Sequence, residues 1–136
     1  MMNFNLTKHM KKLTAVGKKQ LIKNLISPDI VKAEALLNKS EELYISNQDI
    51  KDLGIKGFKR LIDLFKTNKS LVYLDLQNTK LDDLHFKMLA EALKENKSIS
   101  LLNLAYNNIS EVGIEVLAEI FKSNSCIQSV DISRNR

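Results

Sequence analysis

The 136-residue chain, about 15.5 kDa, is long enough for one compact domain and too short for two of ordinary size. Its 44% hydrophobic and 27% charged residues support a buried core and exclude a wholly disordered chain. Lys and Arg total 21 against 16 for Asp and Glu, a formal charge of +5, and the single Cys126 excludes an internal disulfide framework or a multi-cysteine metal site.

The charge has an address. Residues 1–32 hold seven Lys and one acid, whereas residues 33–136 hold 14 basic and 15 acidic residues and are nearly neutral. No apolar run approaches the roughly 18 residues that span a bilayer. The start, MMNFNLTKHMKKLTAVGKK, lacks the apolar stretch of a classical signal peptide. A reducing, cytoplasmic setting is expected, or delivery by a specialised secretion route.

Residues 1–39 are expected to form a helical cap. Leu13, Val16, Leu21, Ile22, Leu25 and Ile26 supply an apolar stripe interrupted by Gly17. Ser27-Pro28-Asp29 then reads as a helix start, with Ser27 as the capping hydroxyl and Pro28 at the first helical position. Ile30, Val31, Ala33, Ala35, Leu36 and Leu37 provide a second helix. Lys8, Lys11, Lys12, Lys18, Lys19 and Lys23 place a basic patch on the first helix.

Beyond residue 39 the chain repeats. LVYLDLQNTKL from Leu71, ISLLNLAYNNI from Ile99 and IQSVDISRNR from Ile127 start 28 positions apart. LIDLFKTN (61–68), LAEALKEN (89–96) and LAEIFKSN (117–124) keep the same spacing. The L-x-L segments alternate as strands do. Phe86, Leu89, Ala90 and Leu93, and their counterparts Ile114, Leu117, Ala118 and Phe121, follow the helical period. Each period is therefore one strand and one helix, and successive strands are expected to lie parallel. Residues 40–69 read as a degenerate first copy, in which Leu43, Ile45 and Ile50 take the places of Leu74, Leu76 and Leu81 at an offset of 31.

These segments resemble the leucine-rich repeat, L-x-x-L-x-L-x-x-N-x-L. Leu71, Leu74, Leu76 and Leu81 carry the match in one copy, and Ile99, Leu102, Leu104, Asn107 and Ile109 carry it in the next. Ile127, Val130, Ile132 and Asn135 open a third. The 28-residue length with Gly57 and Gly113 is similar to the ribonuclease-inhibitor subfamily, including tropomodulin-like and NOD-like-receptor repeats. The resemblance implies an α/β fold: a right-handed solenoid with parallel strands on a concave face, helices on a convex face and the N-terminal helices as its cap. Thr79 replaces the expected asparagine, so that repeat is expected to be held less tightly. His85 stands where Gly57 and Gly113 stand.

On such a face the side chains flanking the core leucines point outward: Tyr73, Asp75 and Gln77, then Leu101, Asn103 and Ala105, then Ser129, Asp131 and Ser133. This patch is expected to bind a protein, with Tyr73 as an anchor and Asp75 and Asp131 favouring a basic contact. No P-loop, G-x-S-x-G or H-E-x-x-H motif is present, and neither an enzyme nor a cofactor or metal site is expected. Cys126, aligned with Ser70 and Ser98, reads as structural, and Glu41-Glu42 and Asp82-Asp83 as solvated turn or cap residues.

The resemblance points to a noncatalytic interaction module with a cytoskeletal or signalling partner; a bacterial effector could use the same scaffold. The alternatives are nucleic-acid or anionic-lipid binding through the basic helix, and regulation of a partner enzyme such as a small GTPase. The sequence ends at Arg136 after a strand with no helix following it. Either a longer repeat protein continues there, or a second copy is expected to stack on the last repeat.

Overall fold

The computed structural model describes residues 11–27 and 29–136. Lys8 and His9 lie outside the described residues, as does Pro28. Helix α1 (Ala15–Ile26) starts where the Thr14 hydroxyl accepts the Gly17 amide at 3.0 Å. Lys11 and Lys12 therefore lie ahead of the helix and not on it, a correction to the sequence expectation. Lys12 instead makes a parallel bridge to Glu42.

Helix α2 (Ile30–Leu37) is capped by Asp29, whose carboxylate accepts the Lys32 amide, and not by Ser27. Ser27 closes α1, its N–H bonding the Lys23 carbonyl. The anticipated stripes are also narrower than expected. Leu21, Ile22, Leu25, Ala33 and Leu37 are buried, whereas Val16, Ile26 and Val31 face solvent. The short helices touch the body along one side only, so apolar positions outside that side stay wet.

Strands β1 (Glu42–Tyr44), β2 (Tyr73–Asp75), β3 (Leu101–Asn103) and β4 (Ser129–Asp131) form one parallel sheet in chain order. Leu43, Leu74, Leu102 and Val130 share one register row pointing into the core. Helices α3 (Asn47–Thr67), α4 (Asp83–Glu95) and α5 (Glu111–Ser123) supply the other wall, and each packs on the next. Phe58, Leu61 and Phe65 of α3 and Phe86, Leu89 and Leu93 of α4 are buried in this single core. On α5, Leu117 and Ile120 are buried but Ala118 and Phe121 are exposed, because no further helix among the described residues covers that flank. No described helix is long and apolar enough to cross a membrane.

The irregular offset has a local cause. In α3 the backbone breaks at Gly54, with φ 64° and ψ −177°, a conformation that favours glycine. The segment from Ile55 to Thr67 lines up at 28-residue spacing with α4 and α5. The added residues form a separate turn before the break, closed by a capping box in which Ser46 and Asp49 each accept the other's amide.

Two columns of asparagine, buried except for Asn135, join the repeats. Asn96 sends its Nδ2 to the carbonyls of Phe65 and Asn68, while its Oδ1 accepts the Ser98 and Ile99 amides. Asn124 repeats the pattern on Leu93, Asn96, Cys126 and Ile127. In the second column, Asn107 and Asn135 donate to Leu76 and Leu104 of the preceding copy. Thr79 is held from the following copy, through Asn107, and also donates to Leu76 O at 2.8 Å. Thr79 is buried there, and its bonds run within its own copy and to the following one.

Ser70 donates to the Leu37 carbonyl at the end of α2, and Ser98 and Cys126 donate to carbonyls of the preceding copy, Asn68 and Lys97. The Cys126 thiol thus substitutes for a hydroxyl in a structural position. His85 fits the glycine position because its ring turns onto Phe58 and its Nδ1 meets the Asp82 cap at 2.8 Å.

Candidate functional site

The sheet face opposite the core carries two register rows. One reads Glu42, Tyr73, Leu101, Ser129, and the other Tyr44, Asp75, Asn103, Asp131. All eight of these positions are fixed by strand geometry with their backbones paired, so the side chains stand on a stiff floor. Gln77, Ala105 and Ser133 follow where the strands end. In each of those turns an Asx side chain accepts the amide two residues on: Asp75 from Gln77, Asn103 from Ala105 and Asp131 from Ser133, at 2.9–3.1 Å.

Sequence reasoning placed Leu101 and Ala105 on this surface, but they are only 7% and 1% exposed. Leu101 points outward in register between Tyr73 and Ser129 and is covered by its neighbours. The Ala105 methyl is enclosed at the turn, where its carbonyl takes the Asn78 and Asn107 N–H groups. Ser129, Asp131, Ser133 and Gln77 are exposed, and Tyr73, Asp75 and Asn103 are half-buried.

The first strand contributes two residues that were missed. Glu42, expected as a solvated turn residue, lies on the face and is 4% exposed. Tyr44 stands beside it, with its ring edge-on to Tyr73 at 5.5 Å. The available signal was the alternation around Leu43 and Ile45, weakened by the offset of that copy.

The chemistry here is aromatic and anionic. The Tyr73 hydroxyl donates to Asp75 Oδ2 at 2.9 Å, and the Tyr44 hydroxyl to Glu42 Oε2 at 3.4 Å. Burial pushes the Tyr73 phenol up to about 12, with the Asp75 carboxylate adding to the effect and Asn103 opposing it. Burial, then the Glu42 charge, raises Tyr44 as well. Both phenols therefore stay protonated donors at neutral pH. Glu42 Oε1 is buried without a hydrogen-bond partner among the described residues.

Among the described residues, Lys12, Lys18, Lys19 and Lys23 each stand beside an aromatic or acidic group. Lys12 places its Nζ over the Tyr44 ring, 4.3 Å from the centroid. Lys18 is paired with Asp49 at 2.9 Å and donates to the Tyr44 carbonyl. Lys19 and Lys23 border a groove that also contains Ile22, Ile26, Asp49 and Asp52, so both charges meet there. Lys11 is exposed.

No family model and no curated protein matches the chain. Among solved structures it is similar to Leiomodin-1 Actin-Binding Site 2, with TM-score 0.62 and 22% identity over 85% of this chain and 62% of that one. It is also similar to the tropomodulin C-terminal domain of Caenorhabditis elegans, with TM-score 0.66 and 19% identity over 88% of this chain and 65% of that one. The chain thus spans less than two thirds of either length. At these identities the likeness is one of fold: an α/β unit with a four-stranded parallel sheet and, among the described residues, five helices, as in tropomodulin-like domains.

Proposed function

We propose that this chain is a noncatalytic protein-interaction module that binds a protein partner through its strand face. In this reading the repeats form a right-handed leucine-rich-repeat solenoid, with that face concave, the helices convex, and α1 and α2 as the cap. The observation that carries it is the row of Tyr44, Asp75, Asn103 and Asp131, with Tyr73 in the adjacent row, held on paired strands. Half-buried tyrosines on a stiff base make interface anchors at small entropic cost.

Among the described residues, His85 and Cys126 support the noncatalytic reading. His85 is engaged with a helix cap and Cys126 with a backbone carbonyl, leaving neither as half of a nucleophile and base pair. Leiomodin-1 is named for an actin-binding site, which supports a cytoskeletal partner with actin the first to test. Binding of nucleic acid or anionic lipid is disfavoured, because Lys12 and Lys18 are already engaged and Lys19 and Lys23 sit beside Asp49 and Asp52.

The test compares the full chain with Tyr73→Ala/Asp131→Lys, both checked for folding, in affinity capture and in binding to purified actin. At least one protein should be retained by the parent chain and lost by the variant. Equal retention of every captured protein by both would overturn the proposal.

A further inference from the structure

Resting on that reading, we infer that the strand face recognises a basic side chain, arginine or lysine, on an extended segment of the protein partner, and that Lys12 of this chain occupies the same position when the partner is absent. The cradle is formed by Glu42, Tyr44, Tyr73 and Asp75, neighbours across β1 and β2.

Two independent observations point to a cation. The first is Glu42, which is 4% exposed and has an Oε1 with no hydrogen-bond partner among the described residues. A buried carboxylate oxygen without a donor is costly, and an incoming ammonium or guanidinium supplies one. The second is Lys12, whose ammonium already lies on the Tyr44 ring, 4.3 Å from its centroid. That ring's hydroxyl reaches the other Glu42 oxygen, which sets the carboxylate at the edge of the same ring, while Lys12 itself makes no ion pair with Glu42.

The intramolecular competitor is held by backbone bonds. The Lys11 carbonyl accepts the amides of Glu41 at 2.7 Å and Glu42 at 3.1 Å, which runs this strap along β1. The Lys12 side chain can leave the ring by rotamer changes while the strap stays in place. A guanidinium suits the cradle better than an ammonium, because its flat face stacks on the ring while its fork of donors addresses a carboxylate. Asp75 is less available than Glu42, since its oxygens already accept Tyr73, Gln77 and Asn103.

The probe is the peptide acetyl-Gly-Ser-Arg-Ser-Gly-amide, titrated into the full 15N-labelled chain, with the citrulline analogue as its uncharged control. The arginine peptide should shift the amide signals of Tyr44, Tyr73 and Asn103, and the citrulline peptide should not. Lys12→Ala should tighten binding about two- to fivefold by removing a surface cation–π competitor. Glu42→Gln should weaken binding about tenfold, and Tyr44→Leu supplies the same reading if Glu42→Gln does not fold. Absence of these shifts in both the parent and Lys12→Ala chains, equal response to citrulline, or unchanged affinity in Glu42→Gln would each overturn the inference. If the peptide fails while a partner still depends on Tyr73, only this inference falls. If the peptide binds but captured proteins ignore Tyr73→Ala/Asp131→Lys, it is the interaction-module proposal that falls.

Discussion

Asn107 Oδ1 accepts the amide of Thr79 at 3.1 Å, across 28 residues of sequence. The same oxygen takes the Leu81 amide at 2.7 Å, and the Nδ2 of Asn107 bonds the Leu76 carbonyl. One buried side chain therefore satisfies the turn of the preceding repeat. Asn107→Ala leaves those groups without partners and should cost about 2–4 kcal/mol in urea unfolding. Thr79→Val removes one hydroxyl from a carbonyl that Asn107 still serves, and should cost no more than about 1 kcal/mol. Equal losses would show that the asparagine does not bridge the copies energetically.

Asp49 should give a pH signature. Burial raises its carboxyl, but the Lys18 ammonium and the Ser46 amide and hydroxyl outweigh that and bring it below its ordinary value of 3.8. Because the folded value is the lower one, the stabilisation is present above the unfolded value and disappears as pH falls through the folded one. Asp49→Asn should be less stable than the parent by about 1–2 kcal/mol at pH 7. The gap should narrow as pH falls toward and below the ordinary value of 3.8, and a gap independent of pH would assign the loss to packing instead.

Gly113 is a packing constraint on α5. A methyl there would stand 2.2 Å from Ile109 Cγ2 and 2.9 Å from Asp83 Oδ1. Ile109 is buried, and Asp83 accepts the Ser110 amide and hydroxyl at the helix start, so neither neighbour can yield freely. Gly113→Ala should destabilise by about 1–3 kcal/mol despite alanine's better helix propensity. A thermal melt equal to or above that of the parent would contradict this.

Tyr106 lies at φ 57°, the same left-handed site that Asn78 and Arg134 occupy one period to either side. Its ring is largely exposed, so it contributes little packing to offset that backbone conformation. Tyr106→Asn should stabilise the fold by up to about 1 kcal/mol, measured by urea midpoint. A loss would mean that the ring makes a contact worth more than the strain.

The 28-residue periodicity made the sheet legible: Leu74, Leu102 and Val130 fall in one register row, as the L-x-L segments require. It also identified most of the outward positions, because alternation dictates which way a strand side chain points. Alternation does not dictate what covers that side chain, which is why Leu101 points outward and is still buried. Asn68, Asn96 and Asn124 were visible as matched letters, but their bonds join atoms 28–31 residues apart that only stacking brings together. Glu42 and Tyr44 were lost to an irregular first copy. Asp29 displaced Ser27 as the α2 cap because its carboxylate, one residue before the helix, reaches the Lys32 amide.

The break at Gly54 separates loop length from sheet register. Added residues after β1 are taken up in their own capped turn, and β1 still meets β2 with Leu43 beside Leu74. Nothing lies within 4 Å of where a side chain on Gly54 would begin. The connection there is a natural graft point, where an epitope or a reporter loop can be carried without shifting a single strand.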